Sequence, residues 1–146
     1  MHSIRKIKKE DLPQIFDLVK ELAHYEKAAH EVTTDVSGYE VDWNAGWFDA
    51  IVLEVDREIV GMALYYKAFS TWKGKMLYLE DLIISEAHRG NGYGKLLLQS
   101  FYEIARAEGA TSAKWQVLYW NTPAIEFYKS EGAHLDPEWI NCRKYL

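Results

Sequence analysis

Met76 to Leu98, MLYLEDLIISEAHRGNGYGKLLL, passes from an apolar strand through a glycine-rich loop into an apolar helix. From Met76 to Ile84 nearly every residue is large and apolar, the pattern of a strand buried on both faces inside an α/β sheet. Glu80 and Asp81 interrupt it, and in a regular strand two successive side chains point to opposite faces, which implies separate roles. The loop follows as Arg89, Gly90, Asn91, Gly92, Tyr93 and Gly94. Lys95 to Ala107 then reads as a helix with Leu97, Leu98, Phe101, Ile104 and Ala105 on its apolar side, and Gly109 stops it.

The first amides of a helix have no partners within it and sit at the positive end of its dipole, so a diphosphate placed there is hydrogen-bonded and neutralised. Glycines let the backbone approach closely, Arg89 adds a fork of donors and Lys95 a point charge. A simple glycine turn between strand and helix would use the same glycines. Two other phosphate loops fail on spacing. The P-loop requires Ser or Thr after its lysine, and Leu96 follows Lys95; the dinucleotide fingerprint spaces its glycines G-x-G-x-x-G in a first βαβ unit, and this loop runs G-x-G-x-G late in the chain.

Outward from this stretch the chain reads βααβββαβαβ. Ser3 to Lys8 is a strand, and Leu12 to Tyr25 an amphipathic helix with Ile15, Leu18, Val19 and Leu22 inward. Thr34 is placed to cap a second helix. Phe48 to Val55 and Ile59 to Phe69 form a hairpin about Asp56 to Glu58. Lys75 to Ser85 and Ser112 to Tyr119 are further strands. Thr122 as N-cap and Pro123 at the first helical position open a helix to Glu131, ended by Gly132, and Trp139 to Tyr145 closes the chain as a strand. The order is that of a single α/β domain over residues 1–146.

Composition supports this. At 146 residues, 49% hydrophobic and 14% aromatic, the chain has material for one substantial core. No apolar run approaches the roughly twenty residues of a membrane span, and the N-terminus lacks a signal-peptide core, so no membrane partner and a cytoplasmic location are expected. A net charge of −5 argues against nucleic acid, whose phosphates need a basic face, and favours a cationic partner. Cys142 is the only cysteine and has apolar neighbours, so a buried thiol is expected. The five histidines show no metal-ligand spacing, and no metal is assigned.

The loop resembles the acetyl-CoA pyrophosphate loop of the GNAT acetyltransferases: Arg or Gln, two residues, Gly, one residue, then Gly or Ala, matched by Arg89, Gly92 and Gly94. KELAHYEK (Lys20 to Lys27), STWKGKMLYLED (Ser70 to Asp81), WNTPAIEFYKSEGA (Trp120 to Ala133) and Glu138-Trp139 narrow the resemblance to the spermidine/spermine and thialysine N-acetyltransferase branch. The family's proline after the first strand is missing, and Glu31 to Trp47 does not follow its usual sequence.

This resemblance implies a three-layer α/β/α fold with about four helices and a mixed, mostly antiparallel sheet of about six to seven strands. It also implies a homodimer and transfer of acetyl from acetyl-CoA to a primary amine of a small cationic substrate. Such an amine, with pKa near 10.4, must lose a proton before it attacks, and the coenzyme thiolate, ordinarily near 8.5, leaves more easily when protonated. Glu80, acting through water, is the implied base and Tyr128 the implied acid. Either could instead be structural, Glu80 paired with Lys73 or Lys75 and Tyr128 a core tyrosine. Leu82, Ile83 and Ile84 are implied to align the pantetheine arm through backbone groups, Arg89 to Lys95 to hold the pyrophosphate, and Asn121, Thr122, Pro123, Ala124 and Tyr128 to contact the coenzyme. The implied substrate contacts are Tyr25, Glu26, Trp72, Glu80, Asp81, Lys114, Trp115, Gln116 and Glu138. Two alternatives share the fold. A protein or peptide acetyltransferase would need an open groove, against which Trp43, Trp47 and Trp72 weigh; a non-catalytic acyl-CoA sensor would not need Glu80 and Tyr128 together.

Overall fold

A computed structural model describes residues 1–146 as two compact units, Met1–Trp115 and Gln116–Leu146. The first unit carries strands β1 (His2–Lys6), β2 (Asp49–Val55), β3 (Glu58–Ser70), β4 (Gly74–Ile84) and β5 (Ser112–Lys114), with helices α1 (Leu12–Tyr25), α2 (Val36–Asn44) and α3 (Tyr93–Ala107). The second carries α4 (Thr122–Ser130). No helix is long and apolar enough to cross a membrane.

The five strands lie in the order β1-β2-β3-β4-β5. The first four are mutually antiparallel, while β5 pairs parallel to β4. Asp56 and Arg57, both at positive φ, make the two-residue turn between β2 and β3, as the hairpin reading required. On one face Ala50, Val52, Met62, Leu64 and Ile83 pack with Ile7, Leu12, Ile15 and Leu18, and Tyr39 and Trp43 of α2 close over the cluster. On the other face α3 packs against β2, β3 and β4, and Tyr65 meets Phe101 with ring centroids 5.5 Å apart. The layered α/β class is as expected.

Several local expectations change. Five strands form rather than six to seven, because Trp139 to Tyr145 has no strand pairing: Asp136 turns that segment by accepting the Glu138 amide and the Trp139 indole N–H at 3.1 and 2.9 Å. Of Ser112 to Tyr119 only the first three residues pair. Cys142 is exposed, not buried, since no sheet covers this segment. Asp35, whose carboxylate accepts the Gly38 amide at 2.7 Å, caps α2 in place of Thr34. Asn121, not Thr122, caps α4 by accepting the Ala124 amide at 3.3 Å, so Pro123 falls one position further in. Helix α3 starts at Tyr93 rather than Lys95, with Gly92 as its cap at φ 75°.

Strand β4 is also not buried on both faces. From Gly74 to Leu79 its side chains alternate, with Leu77 and Leu79 buried toward α3 and their neighbours half-exposed. Its short partner β5 ends opposite Tyr78, so from Leu79 to Ile84 the strand is paired in the sheet only on its β3 side.

Candidate active site

The register between β3 and β4 decides where the two acidic residues go. Tyr65 faces Leu79 and Leu64 faces Asp81, which leaves Glu80 as the extra residue of a β-bulge. A bulge cancels one alternation. Asp81, opposite Leu64, points to the α1/α2 face, and Glu80 reaches Tyr66, the residue two beyond Leu64 on the same face; the Tyr66 hydroxyl donates to Glu80 Oε2 at 3.2 Å. The expectation that Glu80 and Asp81 serve opposite faces is therefore corrected: both serve one.

Glu26 joins them from the C-cap of α1, where its amide donates to Leu22. Burial, and then the charge of Glu80, push the Glu26 carboxyl above its usual value. Burial, Glu80 and Glu26 push Asp81 up to about 7. No basic side chain is among the influences on either group. Aromatic hydroxyls complete the surroundings. Tyr66 and Tyr78 stack at 5.1 Å with 19° between their planes, and Tyr39 stands on α2. All three hydroxyls are raised first by burial, Tyr66 and Tyr78 next by the charge of Glu80, and Tyr39 also by Asp81 and Glu80. Such a cluster of like charge is unfavourable empty and favours a cation.

Sequence reading did not single out Tyr39, Tyr66 or Tyr78. The two hairpin tyrosines face each other by register, but the bulge that aims Tyr66 at Glu80 leaves no mark in composition.

The loop after β4 is built for close approach. Gly90 and Gly92 have φ of 81° and 75°, a region favouring glycine, and a Cβ at Gly90, Gly92 or Gly94 would meet nothing within 4 Å. Gly94 has ordinary dihedrals, so space above the loop, not chain conformation, gives its lack of a side chain a use. The first amides of α3 face that space with no partner in the helix. These features fit a pyrophosphate. Arg89 is partly committed elsewhere: its Nε donates to the Ile84 carbonyl at 3.0 Å, and its Cζ stands 5.4 Å from the Tyr25 ring centroid. Glu21, which accepts the Glu86 amide at 2.9 Å, lies 3.8 Å from an Arg89 terminal nitrogen and ties the loop to α1. Leu82, Ile83 and Ile84 lie on the stretch of β4 that is paired in the sheet on one side only.

No other expected contact of the first unit is among the groups whose charge acts on Glu26 or Asp81. Trp72 is 81% exposed in the β3–β4 turn and Trp47 is exposed after α2. Lys114 is exposed at the end of β5, and Trp115 packs against Tyr102. In the second unit Gln116 bonds Asn141, Glu138 is exposed in the Asp136 turn, and Tyr128 lies on α4 beside Phe127. A cavity of about 290 Å³, lined by Lys6, Trp43, Phe48, Tyr65 and Tyr66 among others, touches the cluster only at Tyr66 and contains none of the three carboxylates.

Residues 7–133 match the model of the Acetyltransferase (GNAT) family. The thialysine N-epsilon-acetyltransferase of Bos taurus is 33% identical over 140 residues, spanning 89% of this chain and 82% of that protein. The human spermidine/spermine N(1)-acetyltransferase-like protein 1 is 32% identical over 139 residues, 89% of this chain but 20% of that longer protein. In fold, an aminoglycoside acetyltransferase from an uncultured soil metagenomic sample, solved with trehalose, superposes with a TM-score of 0.83 over 99% of this chain and 96% of its own, at 18% identity. With the sheet, the glycine loop and these relationships together, the chain belongs to the GNAT acetyltransferase family, whose members are acyltransferases using acetyl-CoA.

Proposed function

We propose that the protein transfers the acetyl group of acetyl-CoA to a primary amine of a small substrate carrying a further positive charge, such as a diamine, a polyamine or a lysine analogue like thialysine. The observation that carries this reading is the gathering of Glu26, Glu80 and Asp81 on one face of the β4 bulge, where burial and mutual repulsion raise Glu26 and Asp81 and no basic side chain compensates. A dication relieves that repulsion; a neutral substrate does not. The names of the relatives, which specify thialysine and spermidine or spermine, point to the same substrate class.

In this reading the α3 amides, Arg89 and Lys95 hold the pyrophosphate, and the open β4 edge at Leu82, Ile83 and Ile84 aligns the pantetheine arm. When bound, acetyl-CoA supplies an acyl group activated as a thioester. A carboxylate of the bulge, Glu80 by sequence, takes a proton from the amine, and Tyr128 donates one to the departing thiolate. Asn121 to Ala124 add coenzyme contacts. The cellular setting is the cytoplasm, as the sequence reading expects, and the assembly a homodimer on the strength of family resemblance.

The test is a panel of amines with acetyl-CoA, following release of free thiol. Diamines and lysine analogues are expected to react and neutral monoamines of equal length to react poorly. Equal turnover with monoamines would end the acidic-pocket argument.

A further inference from the structure

The bulge gives two neighbouring carboxylates different surroundings. Glu80 is exposed, and its Oε2 already accepts the Tyr66 hydroxyl at 3.2 Å. Asp81 lies deeper, opposite Leu64, with Glu80 on its own strand, Glu26 at the end of α1 and Tyr39 on α2 facing it. Tyr66 and Tyr78 stand on the hairpin beyond Glu80. No group among these is basic. Glu80 is thus anchored at the rim in contact with water, whereas the half-buried Asp81 carboxylate has Glu80, Glu26 and the Tyr39 hydroxyl as its charged and polar neighbours.

We infer that Asp81, rather than Glu80, accepts the proton that the substrate ammonium must lose, while Glu80 and Glu26 hold the cation in place. This role rests on the amine acetyltransferase reading above. A base is most effective when its proton affinity lies near the working pH, and burial, Glu80 and Glu26 move Asp81 into that range, at about 7. It must be ionised to act, and the arriving dication favours that form.

The N–H bond of the ammonium breaks and an O–H bond forms on Asp81. The free nitrogen pair bonds to the thioester carbonyl carbon, and the C–S bond breaks with its electron pair passing to sulfur. The thiolate takes a proton from the acid of the proposed function, the second nitrogen proton restores that acid, and Asp81 releases its proton to water. One proton leaves per turnover.

Steady-state kinetics across pH for the wild type, Asp81→Asn and Glu80→Gln, with ¹³C titration of the side-chain carboxyls in the free wild type and Glu80→Gln proteins, test the assignment. Asp81→Asn is expected to lower kcat by roughly 10²–10⁴ and to abolish the acid limb, with coenzyme affinity kept. Glu80→Gln is expected to act mainly on KM and to keep the limb but move it to lower pH, because a like charge beside Asp81 is gone. The ¹³C titration of Asp81 should place it near neutrality and show the same downward move, a readout that stands even where Asp81→Asn fails to fold. An acid limb that vanishes with Glu80→Gln and survives Asp81→Asn overturns this role alone, as does an Asp81 carboxyl titrating in the ordinary range. Absence of turnover with every amine removes the proposed function and this role together.

Discussion

Asp11 and Asp81 are both held away from bulk water, and their neighbours push them in opposite directions. Asp11 accepts two hydrogen bonds from the Arg5 guanidinium, at 2.7 and 3.0 Å, and one from the Lys8 amide at 2.7 Å; the Arg5 bond leads in holding its carboxyl below the usual range. Its contribution to stability is present above the ordinary aspartate pKa and is lost as pH falls through the lowered value. Asp81, raised to about 7, binds its proton more tightly when folded than when unfolded. Stability therefore falls as pH rises from the unfolded value, about 3.9, to about 7, and levels off above that. Asp81→Asn removes the ionisation, so chemical denaturation should show it more stable than the wild type at pH about 8, by up to about 4 kcal/mol, and nearly equal at pH about 4. A parallel offset at both pH values would mean that the charge of Asp81 is not the cause. Tyr128 belongs to the same scale. Tyr128→Phe keeps the ring and removes the donor, so turnover should fall by roughly 10²–10⁴ with the melting temperature almost unchanged, and near-normal kcat would release Tyr128 from the acid role.

Among the elements, the close approach of β3, β4 and α3 depends on Gly61. A Cβ there would stand 2.5 Å from Ile84 Cδ1, 3.0 Å from the Ile83 carbonyl oxygen and 3.2 Å from Leu97 Cδ1. Because one of these atoms is backbone, the clash cannot be relieved by rotamers alone. Gly61→Ala should destabilise the fold by about 1–3 kcal/mol in denaturant melts. It should also weaken coenzyme binding, since Ile83 and Ile84 lead into the loop. The loop has its own test. Arg89→Ala deletes a charged donor whose Nε also holds the Ile84 carbonyl. Loss of about 1.5–3 kcal/mol of charge-assisted hydrogen bonding should weaken acetyl-CoA roughly tenfold or more by calorimetry, and unchanged affinity in a folded variant would take Arg89 out of the site.

For the molecule as a whole, the net charge of −5 and the acidic face of the bulge act in the same direction on a cationic substrate. Attraction between exposed charges is screened beyond about 8 Å at physiological ionic strength, so added salt should raise KM for a diamine while leaving kcat nearly constant. A salt effect confined to kcat would show that long-range attraction does not bring the substrate in.

What the sequence determined alone is what local chemistry encodes. Glycines at Gly90 and Gly92 permit the loop, Asp56 to Glu58 mark a turn between two apolar runs, and the apolar positions of α1 and α3 have helical period. The motifs spread from Lys20 to Trp139, with the Arg89 to Lys95 loop at their centre, carried the family. Tertiary pairing decided the rest. Whether Trp139 to Tyr145 forms a strand depends on a partner edge, which its own apolar pattern does not specify, and whether β4 is buried on both faces depends on which helices cover each face of the sheet. Most of all, Glu80 and Asp81 share a face because β3 and β4 slip by one residue between Leu64 and Tyr65. Side-chain alternation is a property of one strand, but a bulge is a property of two, and so the site's arrangement of charge came from the pairing.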